Sequence, residues 1–146
     1  MVFSYSGVDT QFVHAIAERL RARHIDVWID TRHVPNSDKW QDELEKALAS
    51  ADCFVFFLSA AFLESPWTAM ELEVILAKRL DQPLRTVLLP VQLERVDPPP
   101  LLRTYKYLDM TNRSVELGAD RLFAAIKTSQ DRASHSPRGN RARGDV

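Results

Sequence analysis

The chain of 146 residues carries 19 Lys and Arg against 20 Asp and Glu, for a formal net charge of −1, and 45% of it is apolar. That length suits one domain able to bury roughly two thirds of its unfolded surface, and the near-neutral balance argues against a nucleic-acid reader, which is usually strongly basic. The single cysteine, Cys53, excludes an internal disulfide and a cysteine zinc cluster, and it reads as a buried structural thiol in a reducing compartment.

The opening MVFSYSG lacks the basic segment and apolar stretch of a secretory signal. The longest apolar stretch, 53–63, is about half of the roughly 20 residues a membrane-spanning helix needs. The expectation is a cytoplasmic protein with no membrane partner. Strand-like sequence begins at once, as in a domain cut from a longer chain or a small protein with a short first strand.

VFSY, at 2–5, reads as a short strand, and Gly7 and Asp9 mark a turn and a helix cap. Phe12, Val13, Ile16 and Leu20 then recur at helical spacing across 10–23. IDVWID, at 25–30, is β-branched and apolar and predicts a second strand. TRHVPNS is a loop, and Asp38 with Gln41 opens a second helix that carries Trp40, Leu44 and Leu48 on one face and ends near Ser50. CFVFFLS is apolar throughout, as in a central parallel strand covered on both faces. A loop at 59–64 leads to a third helix from Pro66 to about Leu80, with Ser65 as its cap. TVLLPV is a fourth strand, VDPPPLL a stiff connection, and YKYLDM a fifth strand. The last helix runs from Val115 to about Lys127 with Leu122, Phe123 and Ile126 facing inward. From 129 to 146 the chain is polar, contains arginines and almost no apolar residues, and is expected to be disordered, which leaves one domain at 1–128.

Alternating strands and helices predict an α/β fold: a flavodoxin-like five-stranded parallel sheet, order 2-1-3-4-5, with helices on both faces. In that order, ligands bind beyond the carboxyl ends of the strands, where the loops after strands 1 and 3 part. Three loops converge there: Ser4-Tyr5-Ser6-Gly7, the loop at 59–64, and the loop from Thr31 to Ser37. The helix after strand 3 reads SPWTAMELE and puts Glu71 one helical turn beyond Trp67. By spacing alone, Glu71 is either a boundary glutamate paired with a nearby cation or a carboxylate lining the cleft. Trp67 is either core or a platform for a flat ring.

Other chemistries find little support. His14, His24, His33 and His135 are scattered, and none forms an i, i+4 pair with another ligand, so a metal site is not expected. His33 is either a solvated loop residue or a ligand contact. No GxSxG, GxGxxG or GxxxxGK[ST] is present. A phospho-acceptor receiver needs an acidic cluster at the ends of strands 1 and 3, where this chain has Ser4 and Ser59.

In combination, VFSYSGVDTQFV, IDVWIDTRHVPNSDKWQDEL, FVFFLSAAFLESPWTAMELE and VLLPVQLERVDPPPLL resemble, in order and spacing, the boxes of a Toll/interleukin-1 receptor (TIR) domain of the bacterial type, across about 1–127. In the enzymatically active members, the glutamate of the W-x-x-x-E pair is the catalytic residue of NAD+ cleavage. The resemblance therefore implies an NAD+ glycohydrolase, with Glu71 catalytic and NAD+ as substrate rather than resident cofactor. Trp67, Ser4, Tyr5, Ser6, Asp30 and His33 match its substrate site. The products are nicotinamide and ADP-ribose, or a cyclic ADP-ribose species.

The resemblance further implies self-association, or pairing with other TIR domains, through the so-called BB loop from Thr31 to Trp40, in immune or anti-phage defence signalling. The alternative it allows is a non-enzymatic scaffold or adaptor acting by TIR–TIR interaction. One departure stands out: Asn36-Ser37 replaces the Pro-Gly of many relatives, with Pro35 one place earlier. Asn tolerates a left-handed turn, so the departure bears on assembly more than on chemistry.

Overall fold

A computed structural model describes residues 1–29, 46, 50–64, 77, 81 and 87–134. The expectations for the BB loop, for the helix starts at Asp38 and Pro66, and for the segment beyond 134 lie outside these residues, while the described Lys46, Ser50, Ala77 and Asp81 are helical. The ordered elements are β1 (Val2–Ser4), α1 (Thr10–Arg21), β2 (Trp28–Ile29), β3 (Cys53–Leu58), α2 (Ala60–Glu64), β4 (Val87–Gln92), β5 (Leu108–Asp109) and α3 (Val115–Ser134). Short 3-10 turns lie at Gly7–Asp9 and Pro100–Leu102.

The five strands form one sheet in the order β2-β1-β3-β4-β5, every neighbouring pair parallel, as the sequence predicts. Register follows from side-chain alternation. In β3, Phe54, Phe56 and Leu58 enter one core, while Val55 and Phe57 enter the other. A one-residue slip would exchange these sets, so burial on both faces locks the strand. The first core gathers Phe3, Val55, Phe57 and Val91 from the sheet under Val13, Ile16, Ala17 and Leu20 of α1 and Ala119, Leu122 and Ile126 of α3. The second gathers Val2, Phe54, Phe56, Leu58 and Leu88 with Phe62 of α2 and Leu102. Phe3 meets Phe57 edge-on, with ring centres 4.9 Å apart, a geometry that adds to simple burial.

Several boundaries differ from expectation, each for a local reason. β2, Trp28–Ile29, begins at Trp28 rather than at 25, because Ile25 closes the end of α1. Its N–H donates to the Leu20 carbonyl at 3.1 Å and that of His24 to Arg21 at 3.0 Å, with His24 at φ 65°. This is a left-handed helix stop with histidine where glycine is usual, so His24 is absorbed by architecture. β5 is only Leu108–Asp109, because the Tyr105 N–H closes a turn on the Leu102 carbonyl. The expected loop at 59–64 is instead the helix α2, Ala60–Glu64. Phe123 is only half-buried, with Arg23 and Lys127 over its ring. α3 continues to Ser134, past the expected end near Lys127. Among the described residues, no helix is long and apolar enough to cross a membrane.

Candidate active site

Ser4 ends β1 and pairs in register with Phe56 of β3. The chain then leaves β1 and β3 in different directions, so the switch point opens above Ser6 and Ser59. Among the expected substrate-site residues, Ser4, Tyr5 and Ser6 sit here together. Ser4 and Tyr5 are 1% exposed and Ser6 8%, so the first two are floor and Ser6 is nearest solvent. The Tyr5 ring belongs to the first core, and its hydroxyl lies 3.1 Å from Nε2 of His14. The Ser6 hydroxyl caps the 3-10 turn by accepting the Val8 N–H at 3.4 Å. Glu71, Trp67, Asp30 and His33 lie outside the described residues. Residues 65–76, which include Trp67 and Glu71, follow α2 directly in the chain.

The turn and cap expected of Gly7 and Asp9 are in place, as the 3-10 turn Gly7–Asp9 and Asp9 at the N-cap position of α1, but the side-chain bonding differs. No described glycine has positive φ, so Gly7 does not use its conformational freedom here. Asp9 makes no capping hydrogen bond to α1. Its carboxylate is instead buried, with its side chain 3% exposed, and it reaches across the switch point. The Ser59 hydroxyl donates to Oδ2 of Asp9 at 2.7 Å, and Nη1 of Arg113 lies 3.1 Å from Oδ1. A buried carboxylate needs such partners, because an unpaired one carries a desolvation cost of several kcal/mol.

The same Ser59 hydroxyl accepts the Phe62 N–H at 3.2 Å, and the Ser59 carbonyl accepts that of Leu63 at 3.1 Å. These bonds turn SAAFLE into a helix. The next donor, the Ala60 N–H, goes to Oε2 of Glu94 at 3.2 Å, in the loop after β4. Nη2 of Arg113 lies 3.5 Å from Oε1 of that glutamate, and the Arg113 guanidinium sits 5.7 Å from the centre of the Phe12 ring. Arg113 itself has φ 57°, a left-handed conformation uncommon for a residue with a side chain.

Asp9, Ser59, Glu94 and Arg113 were not singled out as site residues by sequence reasoning. Asp9 and Arg113 stand 104 positions apart, and no local pattern marks such a pair. The one available signal was an acidic residue directly beyond strand 1, which a helix cap explains equally well.

Further along the same edge, Gln92, Arg95, Val96, Asp97, Tyr107 and Asp109 line an open depression of about 540 Å³. Asp109 accepts both the N–H and the hydroxyl of Thr111, which with nearby Arg121 and Arg95 hold its carboxyl below the usual carboxylate range. At the opposite edge, burial pushes the Cys53 thiol up to about 12, so the half-buried sulfur carries no thiolate at neutral pH. Among the described residues, no group of three His, Cys, Asp or Glu could hold a metal ion.

Comparison with known proteins places this architecture. A solved TIR domain, that of the Toll-related receptor TRR-2 from Hydra magnipapillata, superposes with a TM-score of 0.67 over 86% of this chain and 96% of that one, at 16% identity. At that identity the likeness concerns the fold alone. A protein named NAD(+) hydrolase TcpA, from Theionarchaea archaeon (strain DG-70-1), is 31% identical over 80 residues, 55% of this chain. The matched part spans only 24% of that protein's length. The family model for the TIR domain matches residues 2–123. That match takes in all five strands and the first turns of α3, and the chain belongs to the TIR domain family.

Proposed function

We propose that this TIR domain is an NAD+ nucleosidase that cleaves the bond between nicotinamide and ribose, with Glu71 as its catalytic carboxylate and Trp67 as the aromatic beside it. The observation that carries this reading is one of chain order at the switch point. The W-x-x-x-E pair follows directly on α2, the helix that leaves β3 beside the end of β1. The name of the archaeal relative, NAD(+) hydrolase, agrees with it.

The chemistry explains why one carboxylate is enough. As the C–N bond breaks, its electron pair returns to the pyridinium nitrogen and nicotinamide departs neutral, so no general acid is required. The positive charge that remains develops on the ribose, as in glycoside cleavage. An ionised Glu71 stabilises that charge, more strongly in a site shielded from water. Ser6, with Ser4 and Tyr5 beneath it, forms the strand-1 side of the site, and Asp30 and His33 contribute from the strand-2 side. Water attacking the ribose gives ADP-ribose; the adenine attacking it gives a cyclic species. Self-association through the BB loop, between Thr31 and Trp40, completes the site and couples turnover to an immune or defence signal.

The test is nicotinamide release from NAD+ by the purified protein at low and high subunit concentration, with Glu71→Ala in parallel. The variant is expected to keep the fold and lose on the order of 10²-fold or more in rate. Full activity in folded Glu71→Ala overturns the assignment. No turnover at any concentration, with self-association retained, makes the chain a TIR adaptor instead.

A further inference from the structure

We infer that Arg113 is a positioning residue for this reaction, a clasp that fixes the start of α2 and through it the segment bearing Trp67 and Glu71; the inference rests on the reading of Glu71 given above. The observation is the way Ser59 and Ala60, at the start of α2, are held. The Ser59 hydroxyl donates to the buried carboxylate of Asp9, and the Ala60 N–H donates to the carboxylate of Glu94. These two acids come from different loops, after β1 and after β4. Arg113, from the loop after β5, lies against both, with Nη1 at 3.1 Å from Asp9 and Nη2 at 3.5 Å from Glu94.

A forked guanidinium suits this role, because its planar donors can engage two carboxylates in a fixed relation, whereas an ammonium is a single point of charge. Without it, two carboxylates converge on one helix start with no cation between them, and their repulsion drives the β1 and β4 loops apart. Arg113 is also held from behind. Its guanidinium lies over Phe12, and the Asn112 side chain accepts the Ser114 N–H at 3.1 Å as the chain turns into α3. The loop after β5 thus connects α3 to the start of α2 across the whole open edge of the sheet. Displacing a catalytic group by about 1 Å can cost 10²-fold in rate. A clasp on its supporting helix is therefore expected to act on turnover more than on substrate affinity.

The experiment compares wild type, Glu71→Ala, Arg113→Ala and Arg113→Lys for kcat and KM with NAD+, for amide hydrogen exchange by mass spectrometry, and for thermal midpoint. Arg113→Ala is expected to lose about tenfold in kcat with KM within about twofold, and to exchange faster across 59–64 while 119–126 of α3 stays protected. Arg113→Lys should fall between the two. Methylguanidinium at millimolar concentration should restore part of the rate to Arg113→Ala and none to Glu71→Ala.

Wild-type kcat in Arg113→Ala overturns the inference. So does a loss of rate accompanied by faster exchange throughout α3, which marks general destabilisation. Unchanged exchange at 59–64 also overturns it, because the clasp then holds nothing. If wild type releases no nicotinamide, the reading of Glu71 fails and the catalytic role of Arg113 fails with it, while exchange at 59–64 still reports separately whether the clasp exists.

Discussion

The two ends of the sheet are built from different materials. At the amino end, the strands are joined by backbone. The Trp28 N–H donates to the Met1 carbonyl at 2.8 Å, and the Val87 N–H to that of Asp52 at 2.7 Å. The Cys53 thiol there is silenced by burial. At the carboxyl end, backbone pairing continues, with the Leu93 N–H on the Leu58 carbonyl at 3.0 Å and the Met110 N–H on that of Gln92 at 2.9 Å, but side chains join the loops as well. Asp9, Ser59, Glu94 and Arg113 connect the loops after four of the five strands. Backbone pairing tolerates sequence change, because every residue but proline supplies the same donor and acceptor. Side-chain pairing does not. The carboxyl end is therefore where substitution should cost function, and the amino end where it should cost little.

That contrast can be broken most forcefully at Asp9. Asp9→Ala leaves the Ser59 hydroxyl and one arm of Arg113 without their acceptor. It should cost about 2 kcal/mol, in line with hydrogen bonds to charged groups, as read by urea denaturation, and should depress NAD+ cleavage as well. Ser59→Ala removes one bond to Asp9 and the cap on Phe62, and about 1 kcal/mol of loss is expected, again with slower turnover. Should either variant match wild type in both respects, the two ends are not different in kind.

At the amino end, Cys53→Ala should leave turnover unchanged. The wild-type thiol should react with iodoacetamide at least tenfold more slowly in the native protein than in urea, because the reacting species is the thiolate. The sign of its pH effect is fixed. Its pKa is raised on folding from 9.0 to about 12, so the folded state holds a proton that the unfolded state gives up. Stability is intact below pH 9.0 and is lost as pH rises towards about 12. Between pH 8 and 11, the denaturation midpoint should therefore fall further in wild type than in Cys53→Ala.

The smallest effect is expected between the helices. A Cβ on Gly118 would stand 3.0 Å from Cδ1 of Ile16 and 3.0 Å from Sδ of Met110. Cδ1 is the far end of Ile16 and Sδ lies one atom from the end of the flexible Met110 side chain, so both can give by a few tenths of an ångström, and alanine brings about 1 kcal/mol of helix propensity. Gly118→Ala should therefore shift the thermal midpoint by only a few degrees, whereas Gly118→Leu should lower it sharply.

Strand order was readable from the sequence because strands alternate with helices and the unbroken apolar run of β3 marks a central strand covered on both faces. The position of the cleft followed from that order. Element ends were harder to read. Ile25 has every local preference of a strand, yet its N–H is claimed by Leu20 of the preceding helix. Residues 59–64 look like a loop until Ser59 is seen to cap Phe62. Asp9 does stand at the cap position of α1, but the partners of its carboxylate, Ser59 and Arg113, lie 50 and 104 positions away and could not be read locally. Trp67 and Glu71 were singled out through a local motif and lie outside the described residues, whereas the pairing of Asp9 with Ser59 and Arg113 is non-local and left no such trace.

The left-handed backbone of Arg113 sets stability against activity within one residue. Its φ of 57° suits glycine, while its contacts require a guanidinium. Arg113→Gly relaxes the backbone and Arg113→Ala does not, so glycine should be the more stable of two variants that both lack the clasp. No natural side chain satisfies both demands, so selection for thermal robustness alone would tend to erode this position.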